Sequence, residues 1–227
     1  MSYQITCYGH GTFGLKINEY QILIDPFFSG NPSTQIKPGD LNPDFILITH
    51  GHGDHVGDAV EIVNRTAAKV IANAEIASWM GDKGAEVFPQ HIGGGHDYPF
   101  GYVKLTQAVH GSALPDGSYG GMPAGFLITT LDKKKIYFAG DTGLFAGMSL
   151  IGEEDVHLAV LPIGDNYTMG PDDALRAVKM IQPQHVIPAH YNTWPLIAQD
   201  PEAWKERVEK ETVAAVHVMQ ADTSLDL

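Results

Sequence analysis

Phe45-Ile46-Leu47-Ile48-Thr49 followed by His50-Gly51-His52-Gly53-Asp54-His55-Val56-Gly57-Asp58 is the stretch that decides how this chain folds. Its first five residues form a continuous apolar and β-branched run, as in a strand buried on both faces. That run empties directly into three histidines and a carboxylate within six residues. On extended backbone alternate residues point the same way, so His50 and His52 can share one metal ion. Gly51 and Gly53 permit a tight turn that swings Asp54 and His55 toward a second position. Imidazole and carboxylate donors suit zinc, and also manganese, iron or nickel. The competing reading is a histidine-rich surface loop, and the buried strand ahead of it argues against that.

Upstream, residues 3–8, 14–17 and 21–25 read as short strands separated by turn residues. Residues 26–43 are proline-rich and read as a loop. Downstream, Val56, Val60 and Val63 are spaced like one face of a helix over 56–66. A strand at 69–72 and a helix near 74–80 come next. The glycine-rich stretch 93–101 reads as a loop, followed by strands at 102–109, 125–130, 135–139 and 157–163. A helix starts near Pro171, where proline at the first position and Asp172 and Asp173 behind it favour initiation. A strand at 185–189, a helix at 201–210 and a strand at 213–218 close the chain. Both halves thus begin β-rich and end in alternating β and α segments, which predicts one α/β sandwich domain across residues 1–227.

Three further polar residues share one address, the C-terminal end of a buried strand. They are His110 after KLTQAV, Asp141 after IYFAG and His190 after HVIPA. Sites in α/β sheets assemble at such strand ends. Around them stand second-sphere and substrate-facing candidates. Asp25, in LIDP, can hydrogen-bond the free nitrogen of a ligand histidine or simply turn the chain before Pro26. Asp165 and Asn166, with Tyr167, follow the strand ending at Ile163. His96 lies in the glycine-rich loop, and Tyr191, Asn192 and Trp194 follow His190 directly. His10, in YGHGTF, reads as a packing residue ahead of a second-sphere one, and His91, His157, His185 and His217 carry no functional reading.

The chain has 227 residues, 44% of them hydrophobic and 18% charged, an ordinary globular balance. A domain of this size buries roughly 70–75% of its unfolded surface and needs no staples. Cys7 is the only cysteine, so no intrachain disulfide or thiolate cage can form. The formal net charge is −13, which argues against nucleic acid and anionic membranes as partners. It leaves a small anionic substrate open, because bound metal ions supply positive charge locally. No apolar run reaches the length of a membrane span, and the N-terminus lacks the cationic start and apolar run of a secretory signal. The expected location is therefore the cytoplasm.

THGHGDHVGD (49–58) resembles the HxHxDH signature of the metallo-β-lactamase superfamily. His110, AGDT at 139–142 and PAHYNTWP at 188–195 match its later motifs in order and spacing. The resemblance runs from about residue 4 to 218. YGHGTFGLKI, LIDPFFSGNP and LPIGDNYTMGPDDA look closest to a bacterial group of metal-dependent hydrolases related to the ascorbate-6-phosphate lactonases. It implies a four-layer αβ/βα sandwich with two divalent metal ions at one edge, zinc foremost. By that likeness His50, His52 and His110 hold the first ion, Asp54, His55 and His190 the second, and Asp141 bridges them. The implied chemistry is attack by a hydroxide bound to two metals on a small ester, lactone or phosphodiester, with Asp54 and Asp141 as catalytic carboxylates. A homo-oligomer is also expected from the likeness. Two other readings stay open: a mononuclear iron sulfur-oxygenase-like enzyme, and a non-catalytic metal- or ligand-binding module on the same fold.

Overall fold

The computed structural model describes residues 3–227. Its first half runs β1 (Tyr3–Cys7), β2 (Phe13–Ile17), β3 (Tyr20–Ile24), β4 (Phe45–Leu47), α1 (Gly53–Val56), α2 (Ala59–Thr66), β5 (Lys69–Asn73), α3 (Ala74–Gly81) and β6 (Val87–Gln90). The second half runs β7 (Gly95–Tyr98), β8 (Gly101–Gln107), β9 (Ala124–Thr130), β10 (Lys135–Phe138), α4 (Met148–Gly152), β11 (Leu158–Pro162), α5 (Pro171–Ile181), β12 (His185–Ala189), α6 (Pro201–Glu211), β13 (Ala215–Val216) and β14 (Thr223–Asp226). The strands form two seven-stranded sheets, ordered β14-β1-β2-β3-β4-β5-β6 and β13-β12-β11-β10-β9-β8-β7. In the first, β14 to β3 pair antiparallel and β3 to β6 parallel. The second repeats that plan, with β7 to β10 antiparallel and β10 to β13 parallel.

Strand alternation sorts the apolar residues into layers. Phe45 and Leu47 of β4 face a central core with Ile5, Phe13, Ile22, Phe126, Phe138 and Val160, which fills the space between the sheets. Ile46 and Ile48 face the other way, onto Ile62 and Val63 of α2 and Ile76 and Met80 of α3. In the second sheet Tyr137, Ala159, Leu161 and Val186 turn outward to Leu175 and Val178 of α5 and Trp204 and Val208 of α6. The result is helix, sheet, sheet, helix: the α/β four-layer sandwich expected. Each fully buried Ile, Leu or Phe in these layers stabilises by roughly 1.5–3 kcal/mol. Among the described residues no helix is long and apolar enough to cross a membrane.

Three features differ from the expectations. The helix over 56–66 breaks into α1 and α2 at Gly57, where φ is +36° and a Cβ would collide with the Pro26 carbonyl oxygen. The chain must press there because Asp58 holds the 26–29 loop. Its amide donates to Pro26 O (2.7 Å), and its carboxylate accepts from the Phe28 and Ser29 amides (2.7 and 2.9 Å). Residues 93–101, read as loop, contain edge strand β7, whose Gly95 leaves room for the Tyr102 ring that crosses it. Finally, β6, α4 and β14 carry no expectation, and β14 extends the first sheet by pairing with β1.

Candidate metal centre

Strand polarity brings the candidate residues to one edge of the sandwich. Asp25 follows β3 directly, and Thr49 and His50 lie just past its parallel neighbour β4. In the second sheet β8, β10 and β12 run the same way, since β8 and β10 are each antiparallel to β9 and β11 joins β10 to β12 in parallel. His110 and Asp141 lie three residues past β8 and β10, and His190 one past β12. The short helix α1 then returns Asp54 and His55 over the same edge.

The side chains form two adjoining groups. His50, His52 and His110 present ring nitrogens to one another, with His50 Nε2 3.0 Å from His52 Nδ1. Asp54, His55 and His190 form the other, joined by His10. Asp141 stands between them. Its Oδ2 is 3.1 Å from His190 Nε2, 3.5 Å from His110 Nε2 and 4.0 Å from His50 Nε2, and its Oδ1 is 3.4 Å from His55 Nε2. His50, His55, His190 and Asp141 are buried.

Asp25 orients both groups. Its Oδ2 lies 2.8 Å from His55 Nδ1 and accepts the Thr49 hydroxyl at 2.6 Å, while Oδ1 accepts the Thr49 amide at 2.8 Å. The Thr49 oxygen in turn lies 3.0 Å from His50 Nδ1. Because the hydroxyl proton is committed to Asp25, His50 Nδ1–H donates to it and Nε2 is left as a free ligand atom. The same carboxylate fixes His55 with Nε2 free. His10, read first as packing and second as a support to the ligands, takes the supporting place. Its Nε2 lies 3.0 Å from Asp54 Oδ2 and its Nδ1 2.7 Å from the Thr193 hydroxyl. Its ring packs on His190 at 3.9 Å between centroids. The sequence signal was the Gly9-His10-Gly11 turn just past β1, where His10 takes a positive φ of 55°.

Burial lowers His50 and His110 below the usual imidazole range, with neighbouring His55 adding repulsion at His50. Burial brings His10 down to about 4, so it is a neutral hydrogen-bonding group. Burial also opposes charge on His55 and His190, but Asp141 outweighs it, raising His55 and bringing His190 up to about 9. Asp54 and Asp141 stay well below the carboxylate range despite burial, held by His10 and His190 and by His55 and His190 respectively. His55 Nε2 and His190 Nε2 approach these carboxylates without hydrogen-bond geometry and have no hydrogen-bond partner. A void of about 20 Å³ lies beside them, with Asp25, Thr49, His55, Asp141 and His190 on its polar side and Phe13, Ile24, Phe138 and Val160 on its core side. Buried nitrogens left open toward carboxylates and a space of ionic size fit cations held by nitrogen and oxygen.

In front of the cluster opens a cleft of about 570 Å³, with His52, Asp54, His110, Asp141 and His190 at its base and Phe27, Tyr167 and Trp194 around it. The other substrate-facing candidates do not line it. Asp165 and Asn166 are exposed at positive φ, and the Asp165 carboxylate accepts the Asn166 amide at 2.9 Å. Tyr191 packs against the helix-side core, where burial pushes its hydroxyl up to about 12. The Asn192 side chain accepts the Gln199 amide at 2.7 Å and stabilises its own turn. His96 projects from β7 beside Tyr98, in a hollow with Phe88 and Gln90. His157, bonded to Tyr3, and the His185–His217 pair sit around the starts of β11, β12 and β13, opposite the cluster. Cys7 is buried, its thiol pushed up to about 11, which suits packing rather than nucleophilic attack.

Comparison with known proteins agrees with this geometry. A family model described as a beta-lactamase superfamily domain matches residues 20–191. A UPF0173 metal-dependent hydrolase of Bacillus cytotoxicus is 49% identical over 99% of this chain and 100% of its own length. Another from Desulforamulus reducens is 49% identical over 96% of both chains. Among solved structures, Igni18, a metallo hydrolase of the hyperthermophilic archaeon Ignicoccus hospitalis, is 38% identical with a TM-score of 0.92, covering 100% of this chain and 99% of its own. The strand-end histidines, the two-sheet frame and these relatives together establish that the chain belongs to the metallo-β-lactamase superfamily, within its UPF0173 group of metal-dependent hydrolases.

Proposed function

We propose that the chain, as a single domain over residues 1–227, is a binuclear hydrolase that cleaves a small ester, lactone or phosphodiester in the cytoplasm. His50, His52 and His110 hold one ion, Asp54, His55 and His190 the other, and Asp141 spans both. Zinc is the proposed metal, and the same donors accommodate manganese, nickel or iron. The observation that carries the reading is Asp141, whose two oxygens lie 3.1 to 4.0 Å from nitrogens of four histidines in two adjoining groups. One such carboxylate can serve two cations at once. Divalent ions held by these residues would lower the pKa of a bound water toward about 7 and polarise the substrate oxygen.

The protein's own residues supply orientation. Asp54 is the more exposed of the two cluster carboxylates at the cleft, and His10 and Thr193 fix its rotamer. It accepts a hydrogen bond from the attacking water and so orients it. Asp25 and Thr49 keep the His50 and His55 rings from turning. No protein nucleophile is required.

The test pairs metal content per chain with a screen of 4-nitrophenyl phosphodiesters, carboxyl esters and lactones after zinc, manganese or nickel is restored. Close to two ions and turnover of one class is the expected result. A single iron and no hydrolysis would overturn it. His52→Ala and Asp141→Ala are expected to lower kcat/KM by more than about 100-fold and to lose metal, since even the groups behind metal ligands contribute about 10–100-fold. Normal turnover in both variants would remove the site assignment.

A further inference from the structure

We infer that the substrate is uncharged, and that its acyl or aryl part is gripped by the aromatic wall of Phe27, Tyr167 and Trp194. The inference rests on the hydrolase reading above and narrows it to a substrate class. A remote phosphate, sulfonate or carboxylate would need a cation or a set of donors away from the metals to meet it. Among the described residues lining the cleft there is no Lys or Arg, and the neutral side-chain donors away from the metals are the Tyr167 hydroxyl and the Trp194 indole N–H, which do not make the charged or clustered set an anion needs. The charged side chains there are the carboxylates of Asp54 and Asp141 and the cluster histidines, all within the metal centre. Away from the metal centre a second anion would meet no fixed positive charge in the cleft, and the net charge of −13 adds a field that opposes it.

What the cleft does offer is apolar surface. Trp194 and Tyr167 are 36% and 49% exposed and face the cleft together, with Phe27 behind them. Trp194 is held in place, edge-on to His10 at 4.8 Å between centroids and 6.2 Å from Phe27. Phe27 is itself fixed by the flanking bonds of its loop to Thr12 and Asp58. An aromatic wall gains most from a flat or branched neutral group, whose transfer from water needs no charge to be desolvated. The metals then meet the scissile group and the wall meets the remainder.

The experiment uses metal-loaded protein and two esters with the same scissile bond and leaving group: 4-nitrophenyl phenylacetate and its ring-sulfonated counterpart. The neutral ester is expected to have kcat/KM at least about tenfold higher. Trp194→Ala is expected to lower kcat/KM for the neutral ester about tenfold through KM, with Trp194→Phe retaining most of it. Equal or better use of the sulfonated ester overturns the inference, as does a loss in Trp194→Ala that is the same for both esters. Binding of phenylacetohydroxamic acid and its ring-sulfonated counterpart, measured by calorimetry, gives a readout without turnover. Tighter binding of the neutral hydroxamate, lost in Trp194→Ala, supports the substrate class even if neither ester is cleaved, in which case only the hydrolase reading falls. Equal binding of the two hydroxamates overturns the substrate class whatever the esters do.

Discussion

Asp25 meets three donors with two oxygens: the Thr49 amide, the Thr49 hydroxyl and His55 Nδ1. It is 1% exposed, so water cannot replace any of them. Asn at this position keeps one accepting oxygen but turns an NH2 group toward a donor. The His55 ring, and through Thr49 the His50 ring, then lose the partner that leaves Nε2 free. Asp25→Asn is therefore expected to lower metal affinity and kcat/KM by about 10–100-fold with the fold retained. Competition with a chromophoric chelator and a circular dichroism spectrum check it, and an unchanged affinity would reduce Asp25 to a turn residue. At this scale the sequence exposes what strand ends dictate. His50, His110, Asp141 and His190 each follow an apolar run, and the run fixes where the next side chain must emerge. Asp165, Asn166 and Asn192 follow such runs too, and like His190 they take positive φ, but Asp165 and Asn192 spend their side chains on neighbouring amides while His190 turns its ring to Asp141. Single-residue backbone reversals of that kind leave no trace in apolar periodicity. Asp25 and His10 could be read either way, because a turn and a ligand support ask for the same residue types.

Among elements, α1 is only four residues long, yet it carries Asp54 and His55, and its end is set by Gly57. A side chain at Gly57 would have to adopt φ near +36° and displace the Pro26 carbonyl. Strain of this kind costs about 1–3 kcal/mol, and in a chain of this size each kcal/mol shifts Tm by about 2–4 °C. Gly57→Ala is thus expected to lower Tm by roughly 2–12 °C in scanning calorimetry. Gly39→Ala, where nothing lies within 4 Å of the added Cβ, is expected to leave it unchanged. A Tm unchanged in both would show that the 26–29 loop yields freely, which would also loosen Phe27 at the cleft. Strands β4, β10 and β12 were legible because both faces are buried, and β8 because its buried residues alternate with exposed ones. Strands β7 and β14 were not. Both are sheet edges, exposed along most of their length, and their GHDY and TSLD sequences owe their pairing to β8 and β1 rather than to any pattern of their own. The break between α1 and α2 escaped for a related reason: Val56, Val60 and Val63 keep helical spacing across a turn that only the neighbouring loop imposes.

For the molecule as a whole, the metal centre lies where the two sheets meet, so its occupancy bears on the stability of both halves. Asp25, Asp54 and Asp141 sit within a few ångströms of five histidines in a chain whose net charge is already −13. Without cations the carboxylates depend on histidine neighbours for compensation, while His55 Nε2 and His190 Nε2 stay buried without hydrogen-bond partners. Bound metal satisfies both. A ligand that binds the folded state alone adds about 2.7 kcal/mol when present at 100 times its Kd. At about 2–4 °C per kcal/mol, chelation is expected to lower Tm by roughly 5–11 °C, and readdition of zinc or manganese to restore it. Asp141→Ala is expected to abolish this metal-dependent increment, because the carboxylate that spans both groups is gone. An unchanged Tm after metal loss has been verified by elemental analysis would mean that the sandwich is indifferent to its edge. The layered core of Phe45, Leu47, Phe126 and Phe138 would then hold the two sheets together unaided, and the cluster would be a site carried by the fold without stabilising it.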